Sequence, residues 1–252
     1  MSEPQIDQQV FDAVRVVLCD ADGNLFPSEE PAFVASAAVT NRLLAELGVD
    51  RRYSATELRL GTTGKNFRTT AVDLARAHGV AIDPEELEWW VAEEKRRVTA
   101  YLRDALEPAD EVISPLRTLA ASYQLSAVSS SAATRLDACF EATAIAELFP
   151  PERRFSAEDS LRVPASKPDP AIYAFAGAEL GVSGHQGLAI EDAVPGVQSA
   201  VAAGFPVIGN LMFVPPAERA ARAEALLEAG AAAIVVSWWD LENLLALQTE
   251  PC

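Results

Sequence analysis

The chain has 252 residues with 37 acidic against 20 basic side chains, a net charge of −17. That length buries the core of one large domain, or of a domain with an insertion, and the acidity argues against nucleic acid or an anionic membrane as partner, since both select for basic surface. Cys19, Cys139 and Cys252 are odd in number and show no paired spacing, the N-terminus Met1-Ser2-Glu3-Pro4-Gln5 has no basic segment followed by an apolar one, and no apolar run is long enough to span a bilayer. A reducing, cytoplasmic setting is the expectation.

The first strand-like run is Val14–Cys19, short and apolar as for a strand buried on both faces of a parallel sheet. Asp20 and Asp22 follow it two residues apart, so their side chains lean to one side, and Gly23 lets the chain turn. Two carboxylates that close either attract a cation or raise one pKa; alternatively they form a strand-ending Asx turn. From about Glu29 to Glu107 the chain reads as nearly all helix, over Phe33–Leu47, Phe67–His78 and Pro84–Leu102. Within it, Gly61-Thr62-Thr63-Gly64-Lys65-Asn66-Phe67-Arg68 sets hydroxyls between glycines with two cations behind. It reads equally as a substrate-touching loop, through Thr63, Lys65 and Arg68, or as a turn between helices. The proline-bearing stretches Pro27–Pro31 and Pro108–Pro115 read as hinges flanking this region.

Tyr123–Val128 is the next strand, ending in Ser129-Ser130-Ser131. Hydroxyls at a strand-to-helix junction suit an anion, or an ordinary helix cap. Lys167 is bracketed by Pro168 and Pro170, with Asp169-Pro170 reading as a cap and first position of a helix starting at Ala171. Gly187–Ile190 is a strand ending in Glu191-Asp192, with Gly196 and a small apolar helix over Val197–Gly204 beyond. Two strand ends bearing carboxylates fit a Mg²⁺ site. Strands at Pro206–Ile208 and Ala232–Val236 and helices at Pro215–Leu227 and Trp238–Leu247 complete the pattern, with Trp89-Trp90 and Trp238-Trp239 read as packing. Strands alternating with helices predict a parallel α/β sheet covered on both faces, with ligands beyond the carboxyl ends of the strands. No Gly-x-Gly-x-x-Gly follows the first strand, so dinucleotide binding is unsupported.

The four segments Asp20-Ala21-Asp22-Gly23, Ser129-Ser130-Ser131, Lys167-Pro168 and Glu191-Asp192 with Gly196, in that order, resemble the haloacid dehalogenase superfamily, in its branch of phosphatases and β-phosphoglucomutase-like proteins with a helical cap. The resemblance implies a Rossmann-like doubly wound parallel core over residues 1–28 and 108–252 and an inserted α-helical cap over 29–107. It implies Asp20 as nucleophile, Asp22 as general acid/base, and Ser129, Ser130 and Lys167 as phosphate holders. Mg²⁺ would be held by Asp20, Glu191, Asp192 and the backbone carbonyl of Asp22. Three positions depart from the pattern: Asn24 where Thr or Val is usual, Pro27 before Ser28-Glu29 where Asp is usual, and Ala32 where the sugar-phosphate mutases have histidine. These departures read as bearing on the substrate and not on the chemistry.

The expectation is therefore a Mg²⁺-dependent phosphatase of a small phosphorylated metabolite, acting through an aspartyl-phosphate. A phosphomutase shares every motif. A dehalogenase lacks the second aspartate, which is present here. A non-enzymatic phospholigand-binding protein lacks a nucleophile or a metal carboxylate, and neither is missing. With Ala32 in place of histidine, Asp22 is expected to have no partner that restrains it from activating water.

Overall fold

The computed structural model describes residues 13–62 and 66–246. Contacts within the chain divide it into two compact units, one of residues 1–27 and 107–252 and the other of Ser28–Leu106.

The first unit is built on six parallel strands: β1 (Val16–Cys19), β2 (Gln124–Ser129), β3 (Arg154–Ser156), β4 (Gly187–Glu191), β5 (Val207–Asn210) and β6 (Ala233–Val235). Their order across the sheet is β3-β2-β1-β4-β5-β6. The chain runs outward from β1 to β2 and β3, then returns to β4 on the other side of β1. That reversal opens a crevice at the carboxyl ends of β1 and β4, where ligands of open α/β sheets bind. Helices flank the sheet: α5 (Asp110–Ala120), α6 (Ala133–Ala142), α7 (Ala171–Leu180), α8 (Val194–Ala202), α9 (Arg219–Glu228) and α10 (Trp238–Ala246). Val16 and Leu18 of β1 join Ile172, Tyr173 and Ala176 of α7, Val197 and Ala200 of α8 and Leu226 of α9 in one buried core. Alternation along the strand sends Val17 and Cys19 to the opposite face, and all four β1 side chains are buried.

The second unit is helical. It contains α1 (Glu29–Glu46), α2 (Ala55–Gly61), α3 (Phe67–Ala77) and α4 (Pro84–Ala105). Val39, Leu43, Ala71 and Trp90 form its buried centre, with Leu47, Phe67, Ile82 and Leu87 packed around them. Three of its helices start on side-chain caps. Ser54 and Glu57 make a reciprocal capping box on α2, the Asn66 side chain accepts the Thr69 N–H on α3, and Asp83 accepts the N–H groups of Glu85 and Glu86 on α4, with Pro84 in the first turn.

The structure departs from the sequence reading in several places. The stretches read as hinges are partly helical: Pro27 and Pro108 lie outside helices, beside the divisions at Pro27/Ser28 and Leu106/Glu107, whereas Pro31 lies in the first turn of α1, where a missing N–H costs nothing, and Pro115 lies inside α5. Strand β3 has three residues, too few for a periodic signal. Helix α9 starts at Arg219, because Pro215–Glu218 closes as a turn through Glu218 N–H to the Pro215 carbonyl, 2.8 Å. Cys19 and Cys139 are free and buried, and Cys252 lies outside the described residues. No helix among the described residues is long and apolar enough to cross a membrane.

Asp83 supplies a test of the capping account. Asp83→Ala is expected to cost about 1 kcal/mol of stability in urea unfolding, the usual value of a lost N-cap. Asp83→Asn, an equally good cap, is expected to restore most of it. Equal losses in both variants would show that the carboxylate acts through its charge and not as a cap.

Candidate active site

Strand register brings the motif residues together. Cys19 lies level with Ala127 of β2 and Ile190 of β4. One step further places Asp20 beside Val128 and Glu191, at the centre of the sheet's carboxyl edge. The Asp20 N–H continues the ladder to the Ile190 carbonyl at 2.9 Å. Gly23 then turns with φ of 78°, a conformation that favours glycine. A Cβ there would also lie 2.5 Å from Asp192 Oδ2, so the absent side chain lets Asp192 approach the β1 loop.

Lys167 binds these strand ends to one another. Its Nζ donates to Asp20 Oδ1 at 2.5 Å, to Glu191 Oε1 at 2.6 Å and to the Val128 carbonyl at 2.8 Å. Three acceptors from three adjacent strands use all three ammonium donors. The Lys167 backbone N–H donates to Ser130 Oγ at 3.2 Å, tying the lysine loop to the loop after β2. Tyr173 of α7 donates its hydroxyl to Glu191 Oε1 at 2.6 Å. Glu191 also rests against Gly196 in the first turn of α8, where a Cβ would lie 1.9 Å from Glu191 Oε2, and the amide-rich helix start favours a carboxylate there.

Asp20, Glu191 and Asp192 are all buried, and each offers a carboxylate oxygen within 4.8 Å of the others. Burial pushes the Asp20 carboxyl up to about 7 against the pull of Lys167, and Glu191 and Asp22 add to the rise. Burial raises Asp192 well above the usual carboxylate range, with Asp20 and Glu191 contributing and the Arg222 guanidinium opposing. Arg222 donates to the Asp192 carbonyl at 2.9 Å. Burial alone would lower the Lys167 ammonium, but the two carboxylates outweigh it and hold it above its ordinary value. With all three acids ionised, one ammonium would leave an excess of buried negative charge, a cost that the raised Asp20 and Asp192 carboxyls reflect and that a cation bound by oxygen ligands would relieve.

Asp22 points elsewhere. Its Oδ2 accepts from Ser131 Oγ at 2.6 Å and its Oδ1 from Arg135 Nη2 at 3.0 Å. The expectation that Asp22 would be unrestrained, with Ala32 in place of histidine, is therefore corrected. Its partners come from the loop after β2 and from α6. That loop is itself braced. Ser156 Oγ donates to the Ser131 carbonyl at 2.8 Å, and Asp159 Oδ2 accepts the Ala133 N–H at 2.7 Å. Asp159, and not a serine, serves the start of α6.

The remaining expected residues fall as follows. Ser129 ends β2, buried, with its hydroxyl accepting the Ser131 N–H at 3.0 Å. Asp169 accepts the Ala171 N–H at 2.8 Å, while Pro170 holds the N-cap position of α7. Thr63 and Lys65 lie outside the described residues. Arg68 stands in the first turn of α3, its guanidinium forked onto the Glu88 carboxylate of α4. Ser131, Arg135, Tyr173 and Arg222 were not anticipated. Ser131 closes the serine run at the end of β2, and Arg135, Tyr173 and Arg222 each carry a single polar group on a helix with no motif of its own, so that only the fold assembles them. Asn24 also does more than its reading as a substrate-related departure allowed, since its side chain bonds the Asp20 carbonyl at 2.9 Å.

A parallel α/β sheet whose central strand ends in a buried aspartate, a lysine bridging that aspartate to Glu191, and a braced second aspartate fit a hydrolase of the haloacid dehalogenase type. The family model described as haloacid dehalogenase-like hydrolase matches residues 14–204, and the chain belongs to that family. Solved structures agree. A haloacid dehalogenase-like protein from Agrobacterium tumefaciens is 25% identical with a TM-score of 0.70, covering 94% of this chain and 100% of its own. A family hydrolase from Deinococcus radiodurans, with bound phosphate and sodium, is 27% identical with a TM-score of 0.67, over 94% and 96%. A β-phosphoglucomutase-like structure from Thermotoga maritima, at 24% identity and a TM-score of 0.67 over 93% and 99%, shares the fold. No curated protein matches the sequence.

The raised Asp20 pKa makes a stability prediction. A carboxyl whose folded pKa lies above its unfolded value gives stability that is full below 3.8 and lost as pH climbs through about 7. Asp20→Asn cannot ionise. In chelator, its stability relative to the wild type is therefore expected to improve steadily as pH rises across that window. A difference that stays flat with pH, measured by urea unfolding, would contradict the placement of Asp20 among buried acids.

Proposed function

We propose that the protein is a Mg²⁺-dependent phosphatase that hydrolyses a small phosphomonoester through an aspartyl-phosphate. The observation that carries this reading is the gathering of Asp20, Glu191 and Asp192 around the Lys167 ammonium at the carboxyl edge of β1, β2 and β4. The phosphate and sodium bound to the Deinococcus relative support it, since an anion and a cation share that protein's structure.

The donor set fits magnesium: the clustered side chains offer only carboxylate oxygens, and three ionised carboxylates would exceed what the one Lys167 ammonium neutralises. Asp20, Asp192 and Glu191 would hold the ion, with the Asp22 carbonyl beside them. When bound, it supplies positive charge to the phosphoryl oxygens. Asp20 attacks phosphorus, forming its O–P bond as the ester O–P bond breaks, and Asp22 gives its proton to the departing alkoxide. Water then attacks the phosphorus of the acyl phosphate and passes a proton to Asp22, releasing inorganic phosphate and the free Asp20 carboxylate. The hydroxyls of Ser129 and Ser130 offer donors to the phosphoryl oxygens, one such donor being typically worth about 10²–10³ in rate, while Lys167, with its donors on Asp20, Glu191 and the Val128 carbonyl, contributes its positive charge beside them. With a net charge of −17, this local positive charge and not the overall field must hold the anionic substrate. The helical unit of Ser28–Leu106 is assigned the part of a cap that selects the rest of the substrate, in keeping with its place between β1 and β2 in the chain.

Hydrolysis is favoured over phosphoryl return to a sugar by the positions of the two histidines. His185 lies before β4, at the end of the sheet opposite Asp22, and His78 bonds Tyr53 within the helical unit at 2.9 Å. With β-glucose 1-phosphate, with or without glucose 1,6-bisphosphate, free phosphate is expected to exceed glucose 6-phosphate. Isomerisation far ahead of hydrolysis would replace this reading with a mutase. Across a panel of sugar phosphates, phosphoglycolate, glycerol phosphate and nucleotides, Asp20→Asn is expected to fold, by circular dichroism, and to release phosphate only at background rate. Near wild-type release from that variant would refute the mechanism.

A further inference from the structure

Asn24 stands one residue beyond Gly23, fully buried. Its side-chain amide donates to the Asp20 carbonyl at 2.9 Å and to the Ile190 carbonyl at 3.1 Å. Its Oδ1 accepts from Asn210 Nδ2 at 2.8 Å, and Asn210 Oδ1 accepts the Met212 N–H at 3.0 Å. The indole N–H of Trp238, also buried, donates to the Asn24 carbonyl at 3.2 Å. The amide has one orientation that works: reversed, its oxygen would face two carbonyl oxygens and its nitrogen would face the Asn210 donor.

The two carbonyls are the informative part. Asp20 carries the nucleophilic carboxylate, and Ile190 directly precedes Glu191-Asp192. A single NH₂ group thus spans the carboxyl ends of β1 and β4 just beyond the last ladder bond, where Asp20 N–H meets the same Ile190 carbonyl. Asn210, at the end of β5, anchors that group from the next strand. Threonine has one hydroxyl donor and valine none, so neither could bridge both carbonyls and accept from Asn210.

We propose that Asn24 and Asn210 form a positioning pair that sets the spacing between Asp20 and the Glu191–Asp192 pair, and through it the affinity of the site for Mg²⁺. The proposal rests on the metal reading above. It predicts that losing the pair disturbs the ion more than it disturbs the fold, because groups that orient metal ligands typically govern about 10- to 100-fold in metal affinity.

The test is calorimetric titration of the full chain with Mg²⁺ alone, alongside thermal melting. Wild type is expected to bind, and Asn24→Ala to bind about 10- to 100-fold more weakly. The double variant Asn24→Leu/Asn210→Leu leaves no half-satisfied amide between the two positions, although the Asp20 carbonyl and the Met212 N–H lose their partners, so its loss of melting temperature is expected to fall short of the sum of the two single losses while its Mg²⁺ affinity stays as low as that of Asn24→Ala. Affinity that recovers in the double variant would reduce the pair to a packing element and overturn the inference. Should Asn24→Ala fail to fold, Asn210→Ala, which leaves both Asn24 donors in place, is expected to weaken Mg²⁺ binding several-fold; wild-type affinity there would overturn the inference too. A wild-type chain that binds no Mg²⁺ overturns the metal reading itself, whereas Mg²⁺ bound equally by wild type and Asn24→Ala overturns only the role of the pair.

Discussion

One ammonium group, that of Lys167, holds three strand ends together. It is the cation that the structure places among Asp20, Glu191 and the Val128 carbonyl, with contacts of 2.5 to 2.8 Å. Burying a lysine or a carboxylate alone is costly, and burying them together repays that cost only when every donor and acceptor is satisfied. Here the three ammonium donors are all used, and Tyr173 adds a further donor to Glu191. The geometry is possible only because β1 lies between β2 and β4 in a parallel sheet, so that three strands end side by side on one edge. The charge does not balance, however. Asp192 is close enough to share a metal ion with Asp20 and Glu191, and burial holds its carboxyl above the ordinary range. A cluster of this kind could hold a cation, which is the ground of the proposed phosphatase reading.

Close approach is the second constraint. Gly23 admits Asp192 to the β1 loop, and Gly196 admits Glu191 to the start of α8. Both glycines are needed because something else occupies the space of a side chain, and Gly23 also takes a left-handed backbone. Around them the loops are held by short polar bonds: Ser130 to Lys167, Ser131 and Arg135 to Asp22, Ser156 to Ser131. Side chains held this way lose little entropy in reaching a fixed arrangement, which suits the catalytic roles proposed for them. Asp22, the residue assigned to proton transfer, is braced within its own unit by an ion pair with Arg135 and the Ser131 hydroxyl.

The sheet was legible because its strands are apolar runs that stop abruptly at polar residues. Val16–Cys19 and Gly187–Ile190 both end at carboxylates, and a strand buried on both faces has no other reason to change character so sharply. Lys167 was legible because two prolines fix its surroundings. The partners of these residues were not. Arg135 and Tyr173 lie on helices whose spacing says only that a face is buried, and Asn210 closes a four-residue strand with no motif. Asn24 was visible as a departure, but its meaning depends on which carbonyls lie opposite, a fact of three-dimensional register. Strand β3 and helix α2 were too short for periodicity to reveal, and helix α5 carries a proline that reads as a break in sequence but is accommodated within the folded helix.

The central claim is that Asp20 accepts the phosphoryl group. Acyl phosphates are reduced by borohydride, which would convert a phosphorylated aspartate to homoserine. The direct measurement is to mix enzyme with a substrate it turns over, quench in acid, reduce, and map the modified peptide by mass spectrometry. Homoserine at position 20, absent when substrate is omitted, is the result this account predicts. A modified residue elsewhere, or turnover with no trace of homoserine at position 20, would contradict it.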